Sequence, residues 1–191
     1  MTPLSDDDKK RLLAFARAVI AEKTGGGDAA VPPQGLPADL AQPMGCFVSL
    51  HKKKALRGCI GIIEPVAPLI DGIRDNAVSA AFRDPRFPAL DARELGEVDI
   101  EISVLTPPKT ISFSGPRDLL RQLKPGVHGV ILSRGGRRST FLPQVWKQLP
   151  EKERFLEHLC LKAGMDRDCW KDPGIEVQVY EVECFSEEPA S

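Results

Sequence analysis

Two glycines bracket a cysteine in the stretch Leu56-Arg57-Gly58-Cys59-Ile60-Gly61, and these six residues constrain the chain more than any others. Glycine has no side chain to pack and weakens a strand, so a pair of them marks a backbone that something approaches closely. Residues 46–51 and 56–62 alternate like two strands, and Lys52-Lys53-Lys54-Ala55 between them supplies a hairpin turn. Alternation puts Leu56, Gly58, Ile60 and Ile62 on one face, with Arg57, Cys59 and Gly61 on the other. Matching apolar faces assigns Cys46, Val48 and Leu50 to the Leu56 face. Phe47, Ser49 and His51 then join Arg57 and Cys59 in a small polar cluster.

The remaining segments read as helices interspersed with antiparallel strands. Ser5 with Asp8 three residues on opens a capped helix, and Leu12, Phe15, Ala16, Val19 and Ile20 give it one apolar stripe. The helix ends before Gly25-Gly26-Gly27. Residues 25–45 form an irregular surface segment pinned by Val31, Leu36 and Leu40. A second helix over 68–82 buries Leu69, Ile73, Ala77 and Ala80, and Pro85 and Pro88 terminate it. Val98, Ile100, Ile102 and Val104 mark a half-buried strand. A short helix over 116–123, a hairpin turning at Gly135-Gly136, and helices over 143–149 and 151–163 follow. Residues 175–184 read as one alternating strand. Helices and hairpins in this order, without βαβ units, predict an α+β fold with antiparallel sheets.

Lysine and arginine number 26 against 27 aspartates and glutamates, so no excess positive field draws the chain to nucleic acid or anionic membrane. The basic tips at Lys52–Lys54 and 134–138 are solvated hairpin turns without stacking aromatics. The acidic amino-terminal residues carry no secretory pattern, and no apolar run reaches membrane-span length. Five cysteines, an odd and widely spaced set, predict reduced thiols in a cytoplasmic protein. No zinc-ligand spacing occurs, and neither metal nor cofactor is expected.

Cys59 is the candidate reactive centre. Its thiolate would be the nucleophile, Arg57 would stabilise the anion, and His51 is a candidate base if the turn brings it near. Equally, a free cysteine packs as a small hydrophobe, and the glycines either leave room for a substrate or permit close structural packing. Arg57 either binds an anionic group or pairs with Asp84, Asp99 or Glu101. Asp84 and Arg86 tie down the turn at 83–88 or form a wall of the site. Cys160 reads as core, and Cys169 and Cys184 have no role assignable from spacing.

Taken together, LRGCIG at 56–61, AAFRDPRFP at 80–88, IEISVLTP at 100–107, FLPQV at 141–145 and FLEHLCLKAG at 155–164 resemble the AMMECR-type family. Its prokaryotic members are also called AmmeMemoRadiSam system protein A. Ile62 stands where that family often has a small hydroxyl residue. The resemblance implies a single domain of two unequal subdomains, each an antiparallel sheet flanked by helices, the smaller being a central insertion. It places a cleft between them, lined by Leu56, Arg57, Gly58, Cys59, Ile60 and Gly61, with Asp84 and Arg86 nearby. It also implies association with Memo-type and radical-SAM proteins, and a peptide or modified macromolecule as ligand. It brings no established reaction.

Overall fold

A computed structural model describes residues 3–187, which divide into two compact units. One is formed by the chain up to Leu105 together with the segment from Glu183 onward; the other is Thr106–Val182.

The first unit opens with helix α1 (Asp6–Lys23), whose first turn is closed by the Asp8 N–H donating to Ser5 Oγ at 3.2 Å. Three aspartates at this end oppose the positive pole of the helix. All five residues of the expected stripe are buried. Leu40 is buried and Leu36 partly so, but Val31 is 75% exposed and pins nothing. Strands β1 (Gly45–Lys52) and β2 (Ala55–Ile62) form the hairpin. Its turn sets Lys53 and Lys54 at φ 51° and 67°, the left-handed pair of a tight two-residue loop, here on two side chains that do not favour it. Helix α2 (Leu69–Phe82) buries Leu69, Ile73, Ala77 and Ala80, and strand β3 (Val98–Leu105) buries every second residue from Val98 to Val104.

The second unit contains strand β4 (Lys109–Thr110), helix α3 (Pro116–Gln122), strands β5 (Gly129–Arg134) and β6 (Arg137–Phe141), helix α4 (Lys152–Lys162) and strand β7 (Glu176–Tyr180). Its core gathers Leu119, Val130, Leu132, Phe155, Leu159 and Val177, with Trp146 stacked on Phe155 at a centroid distance of 3.6 Å. The final strand, β8 (Val182–Ser186), returns to the first unit's sheet. Strand orders are β2-β1-β3-β8 and β4-β7-β5-β6, with every registered pair antiparallel, giving the α+β class.

Two further expectations are corrected. The alternation over 175–184 is not one strand: it breaks at Glu181, because β7 pairs with β5 while β8 lies beside β3 in the other sheet. At the break Thr106 N–H donates to the Glu181 carbonyl at 3.0 Å, and Glu181 N–H donates to Thr106 Oγ1 at 2.9 Å. Nor are all thiols reduced. Cys160 on α4 and Cys169 in the following turn are bonded to each other, their Cα atoms 6.0 Å apart. The helix turn ends at Gly164 with φ 68°, which folds the chain back so that the two sulfurs meet.

Closing a loop over a separation of 9 residues stabilises chiefly by restricting the unfolded chain. Reduction with dithiothreitol is expected to lower the unfolding free energy of the second unit by about 2–3 kcal/mol. Urea denaturation read by the fluorescence of Trp146 and Trp170, both in that unit, checks this.

Candidate functional site

Strand β2 is the outer strand of its sheet, and its register on β1 decides what surrounds Cys59. Cys46 faces Ile62, Val48 faces Ile60 and Leu50 faces Gly58, as matched apolar faces require. Ser49 therefore lies opposite Cys59, and Ser49 Oγ donates to Cys59 Sγ at 3.2 Å. Beyond Leu50 the register slips. His51 faces Leu56, and Arg57 is the residue left over. Ser49 beside the sulfur is what alternation requires; the slip acts at the other end of the strand, where Leu56, expected on the Gly58 face, stands opposite His51. Leu56 and Ile62 are more than a third exposed, whereas Arg57 is buried and Ile60 packs partly against the core.

The outward edge of β2 is closed by side chains. Asp84, only 4% exposed, accepts the Cys59 N–H at 2.9 Å and the Arg86 N–H at 3.1 Å. Arg86 Nη2 bonds both Asp84 Oδ2, at 2.7 Å, and the Cys59 carbonyl, at 3.2 Å. Both backbone groups of Cys59 that point away from β1 are thus satisfied without another strand, which protects an otherwise adhesive edge. The Arg86 side-chain bonds hold the Asp84 carboxyl well below the usual carboxylate range.

Arg57 pairs with Glu94, not with Asp84, Asp99 or Glu101. Its Nε and Nη2 donate to the two carboxylate oxygens at 2.8 Å each, a bidentate pair. These bonds lower the Glu94 pKa, and Lys52 Nζ joins the same carboxylate at 3.2 Å. Phe87 lies between two guanidinium groups, with the Arg57 and Arg86 carbons 5.9 and 5.4 Å from its ring centre. The third guanidinium nitrogen, Arg57 Nη1, is buried and has no acceptor among the described residues. Sequence reasoning missed Glu94 and Phe87. Phe87 carried a signal, as an aromatic between Arg86 and Pro88; Glu94 carried none, since its approach depends on the chain path after α2.

The space at both glycines is filled from within the same unit. A Cβ on Gly58 would lie 2.2 Å from the Ala80 carbonyl oxygen of α2, and one on Gly61 would lie 2.2 Å from the Phe47 ring. The glycines therefore admit a helix backbone and an aromatic ring instead of leaving room for a ligand.

The AMMECR1 family model matches residues 13–185, nearly all of what has just been described. The chain belongs to the AMMECR1 family. It is 42% identical to a protein of Methanothermobacter thermautotrophicus over 97% of both chains, and 39% identical to Protein MJ0810 of Methanocaldococcus jannaschii over 91% of this chain and 87% of that one. The crystal structure of uncharacterized protein PH0010 from Pyrococcus horikoshii is similar in fold, with a TM-score of 0.81 and 36% identity, covering 98% of this chain and 95% of that one.

In this AMMECR1-family chain the other sulfurs and polar groups have separate surroundings. Cys46 is buried, accepts from Asn76 Nδ2 at 3.2 Å, and burial pushes its thiol pKa up to about 11. Cys184 is an exposed free thiol on β8. His128 Nδ1 accepts the Lys124 N–H at 3.3 Å and its carbonyl accepts the Trp146 indole at 2.7 Å, so it supports the second unit's core. Among the described residues no cluster of three His, Cys, Asp or Glu side chains forms a metal site, and no helix is long and apolar enough to cross a membrane.

Gly58→Ala forces a methyl group into a main-chain oxygen that cannot swing aside, and is expected to cost about 3 kcal/mol or more. Thermal denaturation checks it; a melting temperature within a degree of wild type would contradict the packing described. Asp84 contributes through its lowered pKa. Such a contribution is complete above the unfolded carboxylate value of about 4 and is lost as pH falls through the folded value. Asp84→Asn should thus lower the melting temperature most near neutrality. The gap from wild type should narrow as acid is added, a trend read by melting curves across that range.

Proposed function

We propose that the β2 edge with Arg57, Cys59, Arg86 and Phe87 is a binding site for a peptide or a modified macromolecule, in which Arg57 Nη1 donates to a carbonyl or carboxylate oxygen of the ligand. The observation that carries this reading is the orphan Nη1: two nitrogens of the guanidinium are committed to Glu94, and the third is buried without an acceptor among the described residues. A buried donor left unpaired costs about 1–3 kcal/mol, which a ligand oxygen would relieve. Arg57 and Arg86 are each already neutralised, by Glu94 and Asp84, so a hydrogen-bonding oxygen suffices and a strongly anionic ligand is not required.

The main chain of Cys59 is already occupied by Asp84 and Arg86. A peptide would therefore be held by side-chain contacts and not as an added strand. Phe87 offers an apolar contact between the two guanidinium groups. Cys59 lines the site as a thiol whose sulfur accepts from Ser49 Oγ, with no imidazole or carboxylate bonded to it among the described residues. A cysteine nucleophile is activated by an adjacent base or by a cation that favours its thiolate, and Arg57 and Arg86 are already paired with carboxylates. Binding is accordingly the better-supported role, with thiol chemistry secondary. A docking partner such as a Memo-type or radical-SAM protein would use the same groups.

Alkylation of Cys59 tests the site. Iodoacetamide carries a neutral carbonyl oxygen that Arg57 Nη1 can hold, and it loses iodide to the thiolate. Peptide mass spectrometry gives the ratio of its rate at Cys59 to its rate at exposed Cys184. Arg57→Met should reduce that ratio several-fold. An unchanged ratio in a folded variant would remove Arg57 from the binding site.

A further inference from the structure

The second unit carries a groove that does not involve the residues of the proposed site. Its walls are two continuous stretches, 110–116 and 170–176, enclosing about 570 Å³, within the usual range for small-molecule sites. The groove exists because β4 is only two residues long. Thr110 faces Gln178 and Ile111 N–H still donates to the Val177 carbonyl at 2.9 Å, after which the chain leaves β7 for α3. Opposite, the turn after Cys169 brings in Trp170 before the chain enters β7 at Glu176.

Trp170 is the decisive residue. It is 97% buried, since only 3% of it is exposed, and its indole N–H has no acceptor among the described residues. The other tryptophan shows the ordinary arrangement: Trp146 donates its indole N–H to the His128 carbonyl at 2.7 Å. Tryptophans buried in folded proteins usually find such a partner. The groove also presents Ile111, Phe113 and Ile175 as apolar surface and Ser112 as an exposed polar residue. Its charges are largely balanced. Lys171 pairs with Asp168 at 2.5 Å and stands over the Trp170 ring, and Asp172 pairs with Arg134. Glu176 adds an exposed carboxylate at the mouth, which opposes entry of an anion.

We infer that this groove binds a neutral amide or comparable carbonyl compound with an apolar body, its oxygen accepting the Trp170 indole N–H. The apolar body lies against Phe113 and Ile175. The indole nitrogen is shielded from solvent, so the exposed residues Lys171, Pro173 and Gly174 must give way for the oxygen to reach it.

Titration of the full chain with N-acetylphenylalaninamide, followed by nitrogen–proton correlation spectra, tests the inference. Two indole signals are expected, one from each tryptophan. The Trp170 signal should move saturably as its N–H gains an acceptor, while the Trp146 signal stays in place. N-acetylphenylalanine, the same body with a free carboxylate, should bind at least 5-fold more weakly. Trp170→Phe keeps an aromatic ring but removes the donor, and should weaken binding about 10-fold as read from the backbone amides of Ile111 and Gly174. A Trp170 signal that does not move up to the solubility limit of the probe would overturn the inference. So would equal affinity for the amide and the carboxylate. The wild-type titration decides the matter even if Trp170→Phe fails to fold.

Discussion

The contact between Gly58 and the Ala80 carbonyl sets the distance between α2 and β2, and the site geometry follows from it. With no Cβ at Gly58, the last turns of α2 lie directly on the strand. The helix ends at Phe82, so Asp84 emerges close to the strand's outer edge and reaches the Cys59 N–H. Arg86 then closes on both Asp84 and the Cys59 carbonyl, and Phe87 is left between two guanidinium groups. A side chain at position 58 would push the helix away and release every one of these contacts in turn. A single missing methyl group thus positions a carboxylate, an arginine and an aromatic ring.

Much of this was legible in the sequence, and the misses have physical causes. The stripe of α1, the buried face of α2 and the alternation of β3 are local periodicities and appear as expected. The pairing of Cys46, Val48 and Leu50 with the Gly58 face follows from burial alone. What alternation cannot report is a register slip, because the extra residue costs only a local bend. Leu56, which alternation puts on the Gly58 face, therefore stands opposite His51 instead. Arg57 was expected to pair with an acidic residue, and it does, but Glu94 is brought in by the chain path after α2 and has no local signature. The break at Glu181 was invisible for a similar reason: alternation continues across it while the hydrogen-bonding partner changes. The disulfide was obscured because Cys160 also fits an apolar helix stripe.

Charge compensation gives the proposed site its character. Each arginine there already has its carboxylate, so neither is a free cation waiting for an anion. The remaining capacity is one hydrogen-bond donor, an aromatic face and a thiol softened only by a hydroxyl. The same logic applies to the groove of the second unit, where ion pairs are satisfied and an indole N–H is not.

The return of β8 to the first sheet has a consequence for biosynthesis. Strand β3 is complete at Leu105, but its outer neighbour begins only at Val182, after the whole of the second unit has been made. A chain emerging from the ribosome must therefore hold β3 with one edge unpaired while Thr106–Val182 is synthesised. Prompt folding of the inserted unit, whose two ends meet at Thr106 and Glu181, shortens the path by which β8 reaches that waiting edge. The order of translation leaves the larger unit's sheet incomplete until the smaller unit has been synthesised.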